Sequence, residues 1–409
     1  MTIAGPRFIR MAIALLTTAA ALVVSLAAAP SSQAARGMEL AIQDEGVFVV
    51  GNKRWQGDKP YEYARAIGVT RIRVNLAWAY TMYPIQYSAR KRPRVISYDF
   101  SNIDALVNRA AENGMRVHLS LTGPAPRWAN SRKNQPQRGA WYKPNATEFG
   151  KWASVVAAHF RGRVDRYSIW NEPNWKTWLG PLSRGPALYR SLYSRGYTAV
   201  KKADRRAKVL IGETSPYGRP GLSTAPLAFL RAVTCVNKKY KRARNCTKLK
   251  ADGYAHHPYD FRHAPAFQYP GEDNVTIGTL SRLTKALDKL SRAGVLRKNG
   301  GGRMPLYLTE YGYFASGKRA LSPRITSRYL QQAYSLALAN GRVKSQLQYL
   351  LPTLPRGSDS AFNTGIVTQT GKRLPQYNAL KRWYRANRGK VKRPGRALSL
   401  PAAPANPTD

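Results

Sequence analysis

Arg166–Asn174 reads RYSIWNEPN, a short strand-like run that stops at an Asn-Glu-Pro sequence. Pro173 lacks a backbone N–H and disfavours helical conformation at the residue before it, so Glu172 is predicted to lie at a strand end or in the following loop. An ionised carboxylate is almost never buried without a partner, which makes glutamate poor core material at the end of a buried strand. The pattern therefore indicates a chemical role for Glu172.

A second strand-like segment has the same form. Pro305–Gly312 reads PLYLTEYG, an apolar run that ends in Glu310 beside aromatic and glycine residues. The carboxyl ends of the strands of a parallel barrel meet at one rim, so two strand-end glutamates far apart in the chain come close in space. The two segments predict a pair of carboxylates, Glu172 and Glu310, at one end of a barrel.

Strand-like and helical segments alternate along most of the chain. The segments with strand character are Met38–Gln43, Val69–Leu76, Met115–Leu121, Arg166–Trp170, Lys208–Gly212, Gly253–His257, Pro305–Glu310 and Gln346–Leu351. Alternation over this length predicts a parallel sheet with right-handed crossovers, and eight units favour closure. We therefore predict an α/β fold, a (β/α)8 TIM barrel. An open doubly wound sheet is the alternative, but no glycine-rich phosphate motif follows the first strand.

The composition divides the chain into three parts. Residues 1–34 have the basic start, apolar run and small residues of a signal peptide. That run approaches the length of a membrane anchor, which is the alternative, although its alanines and threonines make it only mildly apolar. Residues 35–385 are predicted to form the barrel, and residues 386–409 a basic, Pro- and Ala-rich disordered tail. We expect a secreted, extracellular chain with no stable membrane insertion.

The chain has only two cysteines, Cys235 and Cys246, which lie close together in a basic segment. In an exported protein such a pair is predicted to form a disulfide that closes a local loop. A metal site there is disfavoured because no histidine or third cysteine is nearby. The histidines of the chain show no ligand spacing, so neither a metal nor a cofactor is predicted.

The charge is strongly positive: 67 Lys and Arg against 21 Asp and Glu give a formal net charge of +46. So large a field favours anionic partners such as nucleic acid, a cell-wall polymer or an acidic polysaccharide. The basic residues are spread along the whole chain, so a solvated, arginine-rich surface explains them equally well. Nucleic acid is not expected as a partner, because no recognised nucleic-acid-binding module is visible.

Asn171-Glu172-Pro173 at one strand end and Glu310 at a later one resemble the clan of retaining glycoside hydrolases built on (β/α)8 barrels, families 5 and 39 in particular. The resemblance covers about Met38 to Tyr384. It implies that Glu172, after strand four, is the acid/base and Glu310, after strand seven, the nucleophile in cleaving the β-glycosidic bonds of a poly- or oligosaccharide. The alternative is a weak or inactive barrel that binds an anionic cell-wall polysaccharide through its charge.

The resemblance also implies substrate-binding roles. Asn171 matches an asparagine that hydrogen bonds the sugar 2-hydroxyl, although a turn-capping role stays open. Arg73 matches an arginine that supports the nucleophile electrostatically. His257 and Tyr259 match a His-x-Tyr sequence in which the histidine binds substrate and the tyrosine hydrogen bonds the nucleophile.

Three further residues of the predicted strands carry open alternatives. His256 replaces His257 as the functional histidine if the strand register turns it inward. His118 is expected to be a satisfied residue of the barrel interior. Glu213, at the end of the fifth strand, is either a third carboxylate of the site or a loop residue.

Sugar sites present flat aromatic faces to the apolar side of the ring, and strand ends here are rich in tryptophan. We expect Trp78, Trp128 and Trp175 to contact substrate, while other aromatic residues pack in the core. Many members of the clan carry a tryptophan at the end of strand eight. Here that segment reads Tyr349-Leu350-Leu351-Pro352, so the identity of the sugar stays open.

Overall fold

Eight short segments form the strands of a closed parallel barrel in the computed structural model, which describes residues 37–131, 141–243, 245–355 and 362–409. The strands are β1 (Glu39–Gln43), β2 (Val69–Ala77), β3 (Arg116–Thr122), β4 (Arg166–Ile169), β5 (Lys208–Thr214), β6 (Gly253–His256), β7 (Leu306–Leu308) and β8 (Val343–Tyr349). Each strand pairs with the next, and β1 pairs with both β2 and β8. The predicted (β/α)8 TIM barrel is confirmed, because an open sheet would leave β1 with an edge.

Helices follow the strands and cover the barrel. Their bounds are α1 (Glu45–Phe48), α2 (Lys59–Ala66), α3 (Pro84–Ser88), α4 (Ser101–Glu112), α5 (Ala146–His159), α6 (Gly185–Ala203), α7 (Pro226–Val233), α8 (Leu280–Arg292), α9 (Pro323–Ala339) and α10 (Pro375–Asn387). Helix α8 shows why they pack as they do: Leu283, Leu287 and Leu290 are buried on one side of it. Residues at this spacing form an apolar stripe, which the barrel covers.

The barrel contains buried ion pairs at two levels. Arg71 and Arg73 are two residues apart on β2, so their side chains lie on the same face of the strand, and both are fully buried. Arg71 binds Glu39 at 3.0 Å and Asp165 at 2.6 Å near the amino ends of the strands. Arg73 lies one level nearer the carboxyl ends, where the candidate site forms.

The segment after α10 lies along the barrel rather than free in solvent. The Lys392 backbone N–H donates to the carbonyl of Met38 at 3.0 Å, and the Leu398 N–H donates to that of Ala111 at 2.8 Å. The last residue, Asp409, exchanges two backbone hydrogen bonds of 2.8 Å with Ile96. The prediction of a disordered tail is therefore corrected. Composition missed this order because the backbone partners are supplied by segments hundreds of residues away.

The predicted disulfide is confirmed: Cys235 and Cys246 are bonded, with their Cα atoms 6.2 Å apart, in the loop after α7. The signal-peptide prediction concerns residues 1–34, which lie outside the described part of the chain. Among the helices described here, none has the length and apolar character needed to cross a bilayer.

Candidate active site

Glu172 and Glu310 lie at the carboxyl-terminal end of the barrel, just after β4 and β7. The backbone that turns Glu172 inward is left-handed: φ is +66° at Trp170 and +38° at Glu172. Such values are uncommon for residues with a side chain and cost free energy that the surroundings must offset. One carboxylate oxygen of Glu172 lies within 4.8 Å of one of Glu310. The two acidic groups therefore face a single gap.

Arg73 connects the residues around this gap. Its Nη1 donates to Glu310 Oε1 at 2.9 Å and also bonds Gln43. Its Nη2 donates to Asn171 Oδ1 and to Glu213 Oε2, both at 2.9 Å. Burial alone would lower the pKa of Arg73, but the charges of Glu213 and Glu310 raise it. A fixed positive charge thus lies directly behind Glu310.

Glu213 is a third carboxylate of the site, which answers the question that the sequence left open. Its side chain is fully buried, and its Oε2 accepts hydrogen bonds from Arg73, from His257 Nε2 at 2.7 Å and from Thr309 Oγ1 at 2.8 Å. Burial acts to raise the pKa of Glu213, but Arg73 and His257 hold it well below the ordinary glutamate value. Glu213 is therefore an anion that anchors both cations of the site.

His257 lies between the carboxylates. Its Nδ1 is 3.0 Å from Glu172 Oε1 and 3.5 Å from Glu310 Oε2, while its Nε2 is bonded to Glu213. Ionised carboxylates only accept hydrogen bonds, so this arrangement suits an imidazolium with both nitrogens protonated. Burial alone would lower the pKa of His257, but the charge of Glu310 and the bonds to Glu172 and Glu213 raise it to about 9.

The other two strand histidines are satisfied inside the structure. His256 Nδ1 is 2.9 Å from Thr214 Oγ1, and its Nε2 is 2.9 Å from the carbonyl oxygen of Val275. Burial lowers the pKa of His256 to about 3, so its ring is neutral. His118 Nε2 is 3.0 Å from Ser168 Oγ. The structure thus places His257, not His256, beside the acidic pair.

Tyr259 completes the surroundings of Glu310: its hydroxyl donates to Glu310 Oε2 at 3.2 Å. Burial raises the pKa of Glu310, and the charges of His257 and Arg73 oppose that shift while Glu172 adds to it.

The three tryptophans that were predicted to contact substrate differ in how deeply they are buried. Trp78 is completely buried, where it stacks on Trp152 with ring centroids 5.8 Å apart. Trp128 is 8% exposed, lies edge-on to Trp78 at 6.1 Å and donates its Nε1–H to the carbonyl of Gln86. Both residues belong to the core, which corrects their predicted substrate role, because a sugar cannot reach their faces. Trp175 is half-buried, and its backbone N–H donates to the Glu172 carbonyl at 2.9 Å.

An aromatic cluster occupies the side of the site near β8, where the sequence lacks a tryptophan. Tyr259 stacks on Phe261 at 4.8 Å and on Tyr311 at 6.0 Å. Phe362 meets Tyr259 edge-on at 5.1 Å and Tyr349 at 5.6 Å. Sequence reasoning missed Phe261 and Phe362, because they come from different loops and share no local pattern.

Glu172, His257 and Glu310 each place one donor atom within 4.8 Å of the others, a spacing that a divalent cation would also accept. In this structure the same atoms satisfy one another: His257 bonds Glu172, and Arg73 and Tyr259 bond Glu310. The positive charge that a cation would supply is already provided by Arg73 and the His257 ring. The donor set therefore fits a hydrogen-bonded pair of acids better than a metal site.

Solved structures with this fold include glycoside hydrolases of several kinds. A family 39 glycoside hydrolase from Bacteroides cellulosilyticus WH2 aligns with a TM-score of 0.59 and 19% identity over 85% of this chain and 63% of that one. A monomeric β-xylosidase from Caulobacter crescentus CB15 gives 0.55 and 18% over 85% and 69% of the two chains. A GH5-4 broad-specificity endoglucanase from Clostridium acetobutylicum gives 0.53 and 12% over 85% and 96%.

This chain spans less than two thirds of the length of that family 39 hydrolase. At these identities the likeness establishes the shared barrel, and the similarity to families 39 and 5 is confirmed at the level of fold. No protein-family model matches the chain, and the comparison with curated proteins finds no match.

Proposed function

We propose that the chain is a secreted retaining glycoside hydrolase that cleaves β-glycosidic bonds of a poly- or oligosaccharide, with Glu172 as acid/base and Glu310 as nucleophile. The observation that carries this proposal is the approach of the two carboxylates to within 4.8 Å. Retaining enzymes hold their carboxyl groups about 5–5.5 Å apart, whereas inverting enzymes need roughly 6.5–9.5 Å to admit a water. The approach of one oxygen of each group to within 4.8 Å supports the closer of these two arrangements. The glycoside hydrolases that share the barrel support the same conclusion.

In the first step Glu310 attacks the anomeric carbon while Glu172 gives its proton to the departing glycosidic oxygen. The carbon–oxygen bond to the leaving group breaks as the ester to Glu310 forms. Arg73 and Tyr259 bind opposite oxygens of Glu310, at 2.9 and 3.2 Å, and hold its carboxylate in one orientation. In the second step Glu172 removes a proton from water, which attacks the same carbon and releases Glu310.

Asn171 supports this assignment through the orientation of its amide. Its oxygen accepts a hydrogen bond from Arg73, so its NH2 group is turned the other way, and the backbone N–H of Asn171 is bonded to Thr122 Oγ1 at 3.1 Å. With its side-chain oxygen and its backbone N–H both held in this way, Asn171 is suited to donate from its side-chain NH2 group to a sugar hydroxyl. Trp175, which follows Glu172 closely, is the tryptophan that remains a substrate-contact candidate.

Hydrolysis of aryl β-glycosides tests the proposal. Glu172→Gln and Glu310→Gln should each remove nearly all activity, whereas Glu62→Gln, a change on the exposed side of α2, should leave it intact. Azide should restore turnover in two variants that lack the glutamate side chain, Glu172→Ala and Glu310→Gly. The products should differ: a β-glycosyl azide from Glu172→Ala and an α-glycosyl azide from Glu310→Gly. Activity that survives both glutamine substitutions contradicts the catalytic assignment, and the reverse azide stereochemistry exchanges the two roles.

An anionic cell-wall polymer as a further partner is a proposal supported by the net charge of +46. Binding of such a polymer through charge alone must weaken as salt is added, because ions screen exposed charges beyond about 10 Å at 0.1 M. Cosedimentation with acidic polysaccharide at low and high salt measures this. Affinity that ignores salt rules out an electrostatic partner.

A further inference from the structure

The amino ends of the barrel strands surround a second concave feature, at the end opposite to Glu172 and Glu310. It is an open cavity of about 510 Å³ whose wall includes residues of β1, β4, β5, β7 and β8. Its charged residues are six basic and two acidic: Arg166, Lys208, Lys298, Arg303, Lys344, Lys392, Glu39 and Asp252. We refer to this feature as the basal cavity. Its wall carries an excess of positive charge.

The two acidic residues of the basal cavity are already engaged by cations, of which Arg166 and Lys392 belong to the wall itself. Glu39 is bound by Arg71 at 3.0 Å, Arg166 at 2.7 Å and Lys392 at 3.2 Å. Asp252 is bound by Lys201 at 2.7 Å and accepts the backbone N–H of Val209 at 2.8 Å. Neither carboxylate is left to neutralise the remaining cations of the wall.

Three lysines of the wall lack a carboxylate partner within the described part of the chain. The ammonium groups of Lys298 and Lys344 bond only backbone carbonyls, those of Asn299 and Gly341, at 3.0 and 3.2 Å. Lys208 forms no ion pair with any described residue. Like charges gathered around a concave wall repel one another and concentrate the field inside it.

Arg166 adds a buried donor. Its side chain is 5% exposed, its guanidinium lies over the ring of Tyr307 at 4.5 Å, and its Nε has no hydrogen-bond partner among the described residues. A buried N–H without an acceptor costs free energy, and Arg166 is one of the residues that line the cavity. Charge and an unused donor thus point to the same missing group, an anion with several oxygen atoms.

We propose that the basal cavity binds a phosphate group. A tetrahedral phosphate has charge and acceptor oxygens to address cations from several strands at once, whereas a carboxylate presents one charge in one plane. Lysine binds phosphate as a point charge and needs no fixed planar geometry, which suits a wall of separate lysines. The group comes either from free phosphate or from the phosphodiester backbone of a polymer.

Calorimetric titration of the full chain with inorganic phosphate at low ionic strength tests this. Lys208→Glu/Lys344→Glu should weaken phosphate binding by roughly tenfold or more, because each substitution removes a positive charge that attracts phosphate and adds a negative charge that repels it. The matched control, Lys53→Glu/Lys91→Glu, makes the same change in net charge on loops at the other end of the barrel. An equal loss in both double variants, or no binding by the native chain, overturns the proposal.

Lysine acetylation of the native chain gives a readout that needs no variant. Phosphate should slow the modification of Lys208 and Lys344, measured by mass spectrometry, and leave exposed Lys53 unchanged, while acetate at equal ionic strength should protect neither. A glycerol phosphodiester oligomer separates the two sources: stronger protection per phosphate than inorganic phosphate identifies a polymer, and weaker protection identifies free phosphate. Failure of both ligands to protect these lysines refutes the site, whatever the outcome of the hydrolysis assays.

Discussion

Replacing Glu213 by glutamine removes one negative charge from the ring of His257 while keeping nearly the same shape. The pKa of His257 is about 9, against an ordinary value of about 6.5, and three carboxylates raise it: Glu310, Glu172 and Glu213. Loss of one of the three should lower the pKa of His257 by roughly one unit. At pH 8 the ring would then change from mostly protonated to about half protonated.

NMR titration of ¹⁵N-labelled histidine measures this midpoint directly. Glu213→Asp is the matched variant: it keeps the charge, so the titration of His257 should stay high even if packing suffers. The alkaline side of the kcat/KM profile should move in the same direction as the midpoint in Glu213→Gln, because a neutral ring cannot donate to both neighbouring carboxylates. An unchanged midpoint in Glu213→Gln, or an equal shift in both variants, refutes the argument that Glu213 acts through its charge.

The same residues make further predictions. Because the folded-state pKa of His257 is above its unfolded value, protonation of its ring stabilises the fold by on the order of 3 kcal/mol. That contribution is complete below about pH 6.5 and is lost as the pH rises through about 9. Urea unfolding at several pH values measures it. Trp78→Ala should lower the free energy of unfolding by about 3–5 kcal/mol. Trp175→Ala should raise KM with little change in thermal stability. Equal KM values for Trp175→Ala and Trp78→Ala would contradict this. Reduction of Cys235–Cys246 should cost about 2–3 kcal/mol of stability without loss of hydrolysis, checked by thermal unfolding with and without reductant. Removal of residues 388–409 should lower the melting temperature, because Asp409 and Lys392 bond the barrel.

The barrel and its acidic pair could be predicted from local sequence signals. Alternation of strand and helix patterns is a short-range property, and so is a glutamate held at a strand end by the following proline, as at Glu172. The choice between His256 and His257 was different, because it depends on where β6 ends, one residue before His257. Patterns in sequence locate strand ends only to within a few residues.

The contacts that the sequence could not supply are long-range. Arg73 and Glu310 are 237 residues apart in the chain, and only the closed ring brings them to 2.9 Å. Trp78 and Trp128 looked like sugar platforms because both follow strands, yet both are buried: Trp78 stacks on Trp152, and Trp128 donates to the carbonyl of Gln86. The role of Glu213 could not be decided for the same reason, since its partners Arg73, His257 and Thr309 come from the middle of β2 and from the ends of two other strands.

The permanence of the Glu213 charge has a consequence for the proposed cycle. Glu213 is fully buried and accepts hydrogen bonds from Arg73, His257 and Thr309, so it stays anionic while Glu310 loses its charge on forming the proposed ester. In the proposed first step Glu172 gives its proton to the leaving group, so the negative charge that Glu310 loses reappears on Glu172 and the site keeps two anions beside its two cations. A carboxylate at Glu172 is the form needed to take a proton from water, so the first step leaves the general base ready for the second step.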